Sequence, residues 1–339
     1  MEITLAMIII RRMSLALSSL ERLGILKVGL LLSLLWLEPA RAVILYDTDN
    51  ALANTTAPTG LLADSGWAYQ GEYGDFLGTM IGSQYFITAQ HIGVSASPTF
   101  TSTAAFNGSV DVTYTIDSSA NGGQGFWNIA GTDLRIFKIN ETFSSYATLY
   151  TGASEVGMEL VVYGRGGPRG SEVTLSGDSK GWYHTGADGV ARWGENDVSG
   201  IISSGVGDLL RTDFAPVGGQ NESTLSVGDS GGAVFVNDGG VWKLAGINYG
   251  VDGFYDTNNV AGDFNEFEAA LFDRGGFYQG SDGSGWSAVP LPPDSPSNFY
   301  ASRISTSSAE IQSIMVPVPE PSGFLLLLIG SLFFVRRRR

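Results

Sequence analysis

The 339-residue chain has no cysteine, 46 glycines and a formal net charge of −15, which excludes disulfides, thiolate metal sites and a cysteine nucleophile. Nine of its 19 Lys and Arg stand in residues 1–42 and in the terminal "RRRR", leaving ten against 31 Asp and Glu between residues 43 and 335. A surface so acidic repels phosphate backbones and anionic lipid, which argues against nucleic-acid binding.

Residues 1–42 carry scattered positive charge (Arg11, Arg12, Arg22, Lys27), then the apolar run "VGLLLSLLWL" (28–37), then "EPARA" with small residues at Ala40 and Ala42. That order predicts a secretory signal peptide over 1–42 and a mature start at Val43, with Met13 as an alternative initiation residue. The run falls short of the ~20 apolar residues that a membrane span needs. Residues 43–65 are polar and turn-rich and read as a loosely ordered lead-in. Over 66–286, short β-favouring runs ("YFITA", "VDVTYTI", "LRIFKI", "ELVVYG", "GAVFV", "KLAGINY") recur between Gly, Asn, Asp and Ser clusters. The pattern predicts an all-β sandwich or barrel. "NEFEAALFDRG" (265–275) is the one short helix expected, on a modest match to the 3.6-residue period.

From 287 to 317 the composition turns Pro/Ser-rich, which predicts an extended linker. Residues 299–315 stay open between a last strand and more linker. The chain ends in "VPEPSG" (318–323), twelve apolar residues (324–335) and four arginines. Twelve helical residues reach about 18 Å, short of a ~30 Å hydrocarbon core. This order of motif, short hydrophobic helix and basic cluster over 318–339 resembles the PEP-CTERM sorting signal of Gram-negative bacteria. The resemblance implies transient membrane anchoring, cleavage near Pro319-Glu320-Pro321 by an exosortase-type enzyme, and delivery to the cell envelope or the extracellular matrix.

Chemistry is concentrated in "SVGDSGGAVFV" (226–236). A serine nucleophile needs a base, a group that orients the base, and donors for the oxyanion. Only two histidines exist. His91 leaves a predicted strand ("YFITAQH"), accessible but on a rigid scaffold, whereas His184 ("GWYHTGADG") reads as part of a solvent loop. Asp133 enters an apolar strand ("GTDLRIFKI"), where a carboxylate can be buried beside an imidazole; Asp111 and Asp117 flank a more polar strand. The two histidines and scattered acids lack the spacing of a metal site, and no cofactor is expected.

His91, Asp133 and Ser230 follow one another at separations of 42 and 97 residues. In order and spacing, and in "SQYFITAQH", "GTDLRIFKI", "GDSGGAVF" and "LAGINYG", the chain resembles the chymotrypsin-like (trypsin-like) serine proteases over roughly residues 66–275. The resemblance implies two antiparallel six-stranded β-barrels with the catalytic groups at their junction, and a protein or peptide substrate. It implies His91 as base, Asp133 as its orienting carboxylate, Ser230 as nucleophile, and the N–H groups of Gly228 and Ser230 as the oxyanion hole. The primary specificity pocket falls to Thr224, Gly250 and Gly262; with no carboxylate at 224, uncharged apolar substrate residues are expected. Gln90 replaces the family's alanine next to the histidine. Asp229 is left with two options: pairing with an N-terminus at Val43, or internal hydrogen bonds. The expected function is an exported serine endopeptidase; the alternative is an inactive member of the fold serving as a surface binding or matrix protein.

Overall fold

The computed structural model describes residues 42–50, 52–95, 98–291 and 295–316. Residues 1–41 of the expected signal peptide and the expected sorting signal with its 324–335 helix lie outside these residues. Among the described residues no helix is long and apolar enough to cross a membrane.

The strands, in chain order, are β1 (Ile44–Leu45), β2 (Gln70–Tyr73), β3 (Phe76–Gly82), β4 (Tyr85–Ala89), β5 (Thr99–Ser102), β6 (Val112–Thr115), β7 (Phe126–Asn128) and β8 (Leu134–Lys138). They continue as β9 (Glu159–Gly164), β10 (Arg169–Leu175), β11 (Asp178–His184), β12 (Arg192–Asp197), β13 (Gly200–Ser204), β14 (Gly207–Asp213), β15 (Ser223–Thr224), β16 (Ala233–Asp238) and β17 (Val241–Val251). The last are β18 (Tyr255–Asp256), β19 (Ala269–Leu271), β20 (Tyr278–Ser281), β21 (Gly285–Ala288) and β22 (Asn298–Arg303).

Two seven-stranded antiparallel sheets dominate, in the orders β6-β5-β2-β3-β4-β8-β7 and β12-β9-β16-β17-β22-β14-β13. Each curls on itself. In the first, Ile116 after β6 bridges Ile139 after β8, and Asn140 N–H donates to Thr115 O at 2.9 Å. In the second, the Asn196 amide on β12 donates to Asp213 O at the end of β14 at 3.1 Å. The two-barrel architecture is the one expected, with seven strands in each sheet rather than six.

One apolar core joins the barrels. Leu77, Ile87, Leu134 and Ile136 of the first meet Tyr163, Phe235, Leu244 and Ile247 of the second in a single buried cluster. Burial at roughly 25 cal/mol per Å² of apolar surface makes this seam a principal stabilising contact. It also brings the ends of β4 and β8 close to the turn before β16.

Three sequence expectations change. The "lead-in" is structured: Val43, Ile44 and Leu45 are buried and β1 pairs with β15, because Ile44 sits in an aromatic nest of Tyr46, Trp182, Phe214 and Phe272. The helix expected at 265–275 is instead β19, paired with β11; Ala269, Ala270 and Leu271 are all buried, and a surface helix would expose one of them. Within the expected 287–317 linker, β22 is a central strand between β17 and β14, and Ser308–Met315 is a helix. Of the two readings open for 299–315, β22 realises the strand, and it is buried on both faces.

Residues 252–297 form an excursion between the paired neighbours β17 and β22, and the following helix returns to the barrel seam through Ile311. That return is pinned by Glu155, fully buried, which accepts from Arg303 Nε and Nη2 at 2.8 and 2.7 Å and from Ser305 Oγ at 2.6 Å. Arg303→Ala strands the carboxylate without its partner and is expected to cost about 3–5 kcal/mol, read by urea unfolding; a loss under 1 kcal/mol would contradict this account of the C-terminus.

Candidate active site

His91 stands just past β4, held by backbone before its side chain is used. Gln90 N–H donates to Asp133 O at 2.7 Å, and His91 N–H to Asp133 Oδ1 at 2.8 Å. The unusual Gln90 thus serves through its peptide group. Arg135 on β8 adds a further tie: it is buried, its Nη1 donates to Gly93 O at 2.6 Å, and its guanidinium lies 4.6 Å from the Phe126 ring centroid. Sequence reasoning took this strand only as core and missed that arginine.

The side chains of the three expected residues form one hydrogen-bonded line. His91 Nδ1 meets Asp133 Oδ2 at 2.6 Å and His91 Nε2 meets Ser230 Oγ at 2.8 Å. Asp133 is 5% exposed. A carboxylate can only accept, so Nδ1 carries the proton and Nε2 presents its lone pair to the serine hydroxyl. The Tyr249 ring stands edge-on to the imidazole, centroids 5.8 Å apart.

His184 is elsewhere and is not the solvent residue expected. It closes β11, cross-strand to Arg169, and both ring nitrogens are buried without a hydrogen-bond partner among the described residues. Burial of its ring pushes its pKa down to about 4, so it is neutral at neutral pH.

The turn 226–232 is shaped by glycine. Gly228 has φ +97°, and an added Cβ would come within 3.0 Å of Gly166 Cα. The N–H groups of Gly228 and Ser230 donate to nothing among the described residues, while the carbonyls of the same two peptide units are held from behind. Val227 O accepts from Gly167 N–H at 3.0 Å, and Asp229 O accepts from the Asn248 amide at 3.0 Å and from Gly232 N–H at 3.3 Å. In a trans peptide C=O and N–H point opposite ways, so both N–H groups are directed to the open side. The "GRGG" run (164–167) after "LVVY" is the signal that could have revealed this support: a Cβ on Gly166 would lie 2.6 Å from both Asp229 N and Val227 O.

Asp229 is buried, and burial pushes its carboxyl up to about 6 despite opposing hydrogen bonds from Ser226, Gly166 and Val43. Its Oδ1 accepts from Gly166 N–H at 2.6 Å and its Oδ2 from Ser226 N–H at 2.8 Å. Internal hydrogen bonds and the backbone at Val43 therefore both converge on it.

Of the expected pocket residues, Thr224 is buried and paired with Ile44, and Gly250 lies on β17 with open space where a Cβ would stand. Gly262 belongs to a different piece of structure, a loop of the excursion whose N–H donates to Asp282 Oδ2 at 2.8 Å. The strand beside Gly250 is β22, with Tyr300 opposite Gly250 and Phe299 opposite Val251. Asp252, which follows β17, is engaged by Arg274 Nη1 at 2.9 Å, Tyr300 OH at 2.8 Å and the Asn298 backbone and amide, both at 2.9 Å.

Next to Thr224, burial raises the Glu222 carboxyl to about 8, with Asp197, Asp47 and Glu195 adding to the rise and the Ala215 N–H opposing it. The folded value lies above the ordinary 4.5, so the neutral acid stabilises the fold. That contribution is complete below 4.5 and is lost as pH rises through about 8. Glu222→Gln stays neutral, so its melting temperature should gain on the wild type between pH 6 and 9; parallel curves would contradict the assignment.

The Trypsin family model matches residues 67–270. Similar solved structures include the passenger domain of plasmid encoded toxin, an autotransporter enterotoxin from enteroaggregative Escherichia coli. The likeness is at 14% identity and TM-score 0.41, over 74% of this chain and 22% of that one. Neuropsin, a serine protease expressed in the limbic system of mouse brain, is similar at 13% identity and TM-score 0.40, over 75% of this chain and 96% of that one. No curated protein matches. With the family model covering more than half of the chain and the two curled sheets meeting at His91, Asp133 and Ser230, the chain belongs to the trypsin family.

Proposed function

We propose that the protein is an exported serine endopeptidase acting through an acyl-enzyme on Ser230. The observation that carries this reading is the unbroken line Asp133–His91–Ser230 beside two undonated N–H groups. Ser230 Oγ attacks the peptide carbonyl carbon as its proton passes to His91 Nε2. Asp133 stabilises the imidazolium and keeps it oriented. The carbonyl oxygen, now an anion, receives the N–H groups of Gly228 and Ser230. Collapse of the tetrahedral species breaks the C–N bond, and His91 gives its proton to the departing amine. Water then attacks the acyl carbon as His91 Nε2 takes its proton; the ester C–Oγ bond breaks, the acid leaves, and His91 returns the proton to Ser230 Oγ.

The uncharged Thr224 at the position expected for the pocket floor, and the prior engagement of Asp252 by Arg274, favour uncharged, apolar side chains before the scissile bond. The signal-peptide-like order of residues 1–42 and the resemblance of 318–339 to a PEP-CTERM tail support export to the envelope or extracellular matrix of a Gram-negative bacterium, with processing by an exosortase-type enzyme. The wild-type protein should degrade an unfolded protein such as casein, and Ser230→Ala should not. Failure of both to cleave would return the fold to the alternative of a surface binding protein.

A further inference from the structure

Asn248, on β17, is fully buried yet polar. Its backbone exchanges two bonds with the nucleophile turn: Gly231 N–H donates to Asn248 O at 3.1 Å, and Asn248 N–H to Gly232 O at 2.8 Å. Its side chain does something a ladder residue does not. Nδ2 donates to Tyr163 O at 2.7 Å and to Asp229 O at 3.0 Å. Both partners are carbonyls, so the amino end of the amide must face them. The other end, Oδ1, is buried with no partner among the described residues. A buried acceptor left unpaired is destabilising, so the oxygen end of this amide offsets part of what its amino end contributes to the two carbonyls.

We propose that Asn248 is a positioning residue for the oxyanion hole, a role that rests on the protease reading above. Asp229 O and Ser230 N–H belong to one planar peptide unit and point opposite ways. Gripping the oxygen from behind fixes the direction of the N–H in front. The second grip on that oxygen, Gly232 N–H at 3.3 Å, is longer, so the amide is the closer restraint. The same Nδ2 ties the peptide to Tyr163 O on β9, which references the turn to the rigid sheet rather than to itself. The bulge of β17 between Asn248 and Gly250 lets this side chain reach the turn while Tyr249 faces His91.

The test compares Asn248→Leu, close in size but without a donor, and Asn248→Ser, smaller but with one donor, against wild type. Rates are referred to active sites counted by a fluorophosphonate probe. Affinity is measured for a peptide aldehyde: Ser230 Oγ adds to its carbon, the Oγ proton passes to His91, and the former carbonyl oxygen becomes the bound oxyanion.

For Asn248→Leu, kcat should fall about ten- to hundredfold with KM within about threefold, and aldehyde affinity should fall in step with kcat. Asn248→Ser should recover part of both. If the leucine variant does not fold, Asn248→Ala, which leaves space rather than a clash, is read the same way. Wild-type kcat per active site in the leucine or alanine variant, or a kcat loss without loss of aldehyde affinity, would overturn the role. A wild-type protein that neither labels nor binds the aldehyde would instead overturn the protease reading beneath it, and this role with it.

Discussion

His91→Ala is expected to lower kcat by roughly ten-thousand- to million-fold, whereas His184→Ala should stay within a few-fold of the wild type. The contrast follows from placement. His91 is the only imidazole bonded both to a buried carboxylate and to a hydroxyl, so its loss removes the acceptor for the Ser230 proton and the donor to the leaving amine together. His184 offers neither: its ring nitrogens face no partner among the described residues, and with a pKa near 4 it carries no charge at neutral pH. Removing it should show in thermal unfolding, since it fills space in the β10-β11-β19 sheet. Steady-state kinetics on a small peptide ester separates the two, and a collapse of kcat in His184→Ala matching that of His91→Ala would contradict His91 as the base.

Gly228→Ala is expected to cost about a hundred- to a thousandfold in kcat with little change in KM. At φ +97° a side chain is strained whatever the space around it, and here the space is closed as well, with Gly166 Cα at 3.0 Å and Ala187 Cβ at 3.1 Å from the added carbon. Relief comes most readily by rotating the Val227–Gly228 peptide, which breaks the bond from Gly167 N–H to Val227 O and turns the Gly228 N–H away from the oxyanion. Because the ground-state substrate has no full negative charge there, KM is spared. A variant that lost KM and kept kcat would place the oxyanion donors elsewhere.

The parts of this molecule legible in the sequence were those with local chemistry. His91, Asp133 and Ser230 each sit at a strand end whose apolar pattern is readable over five or six residues, and glycine at 228 signals its own backbone. What escaped were groups that act across long separations or through the backbone. Asn248 looked like one polar residue in "LAGINYG", and only its contacts with Tyr163 O and Asp229 O distinguish it. Arg135 and the Gly166–Gly167 pair support the site from behind. The wall opposite Gly250 escaped for a topological reason: β22 follows an excursion of residues 252–297, so Gly262, nearer in sequence, was chosen over Tyr300. The burial of Ile44 and its neighbours is not legible locally because it comes from residues as distant as Phe272.

The central claim is that Ser230 is an activated nucleophile, and a fluorophosphonate probe tests it most directly. Mass spectrometry of the labelled wild-type protein should find one adduct, on Ser230, with labelling absent in Ser230→Ala and strongly slowed in His91→Ala. An unlabelled wild-type protein, or an adduct on any other residue, would contradict the account.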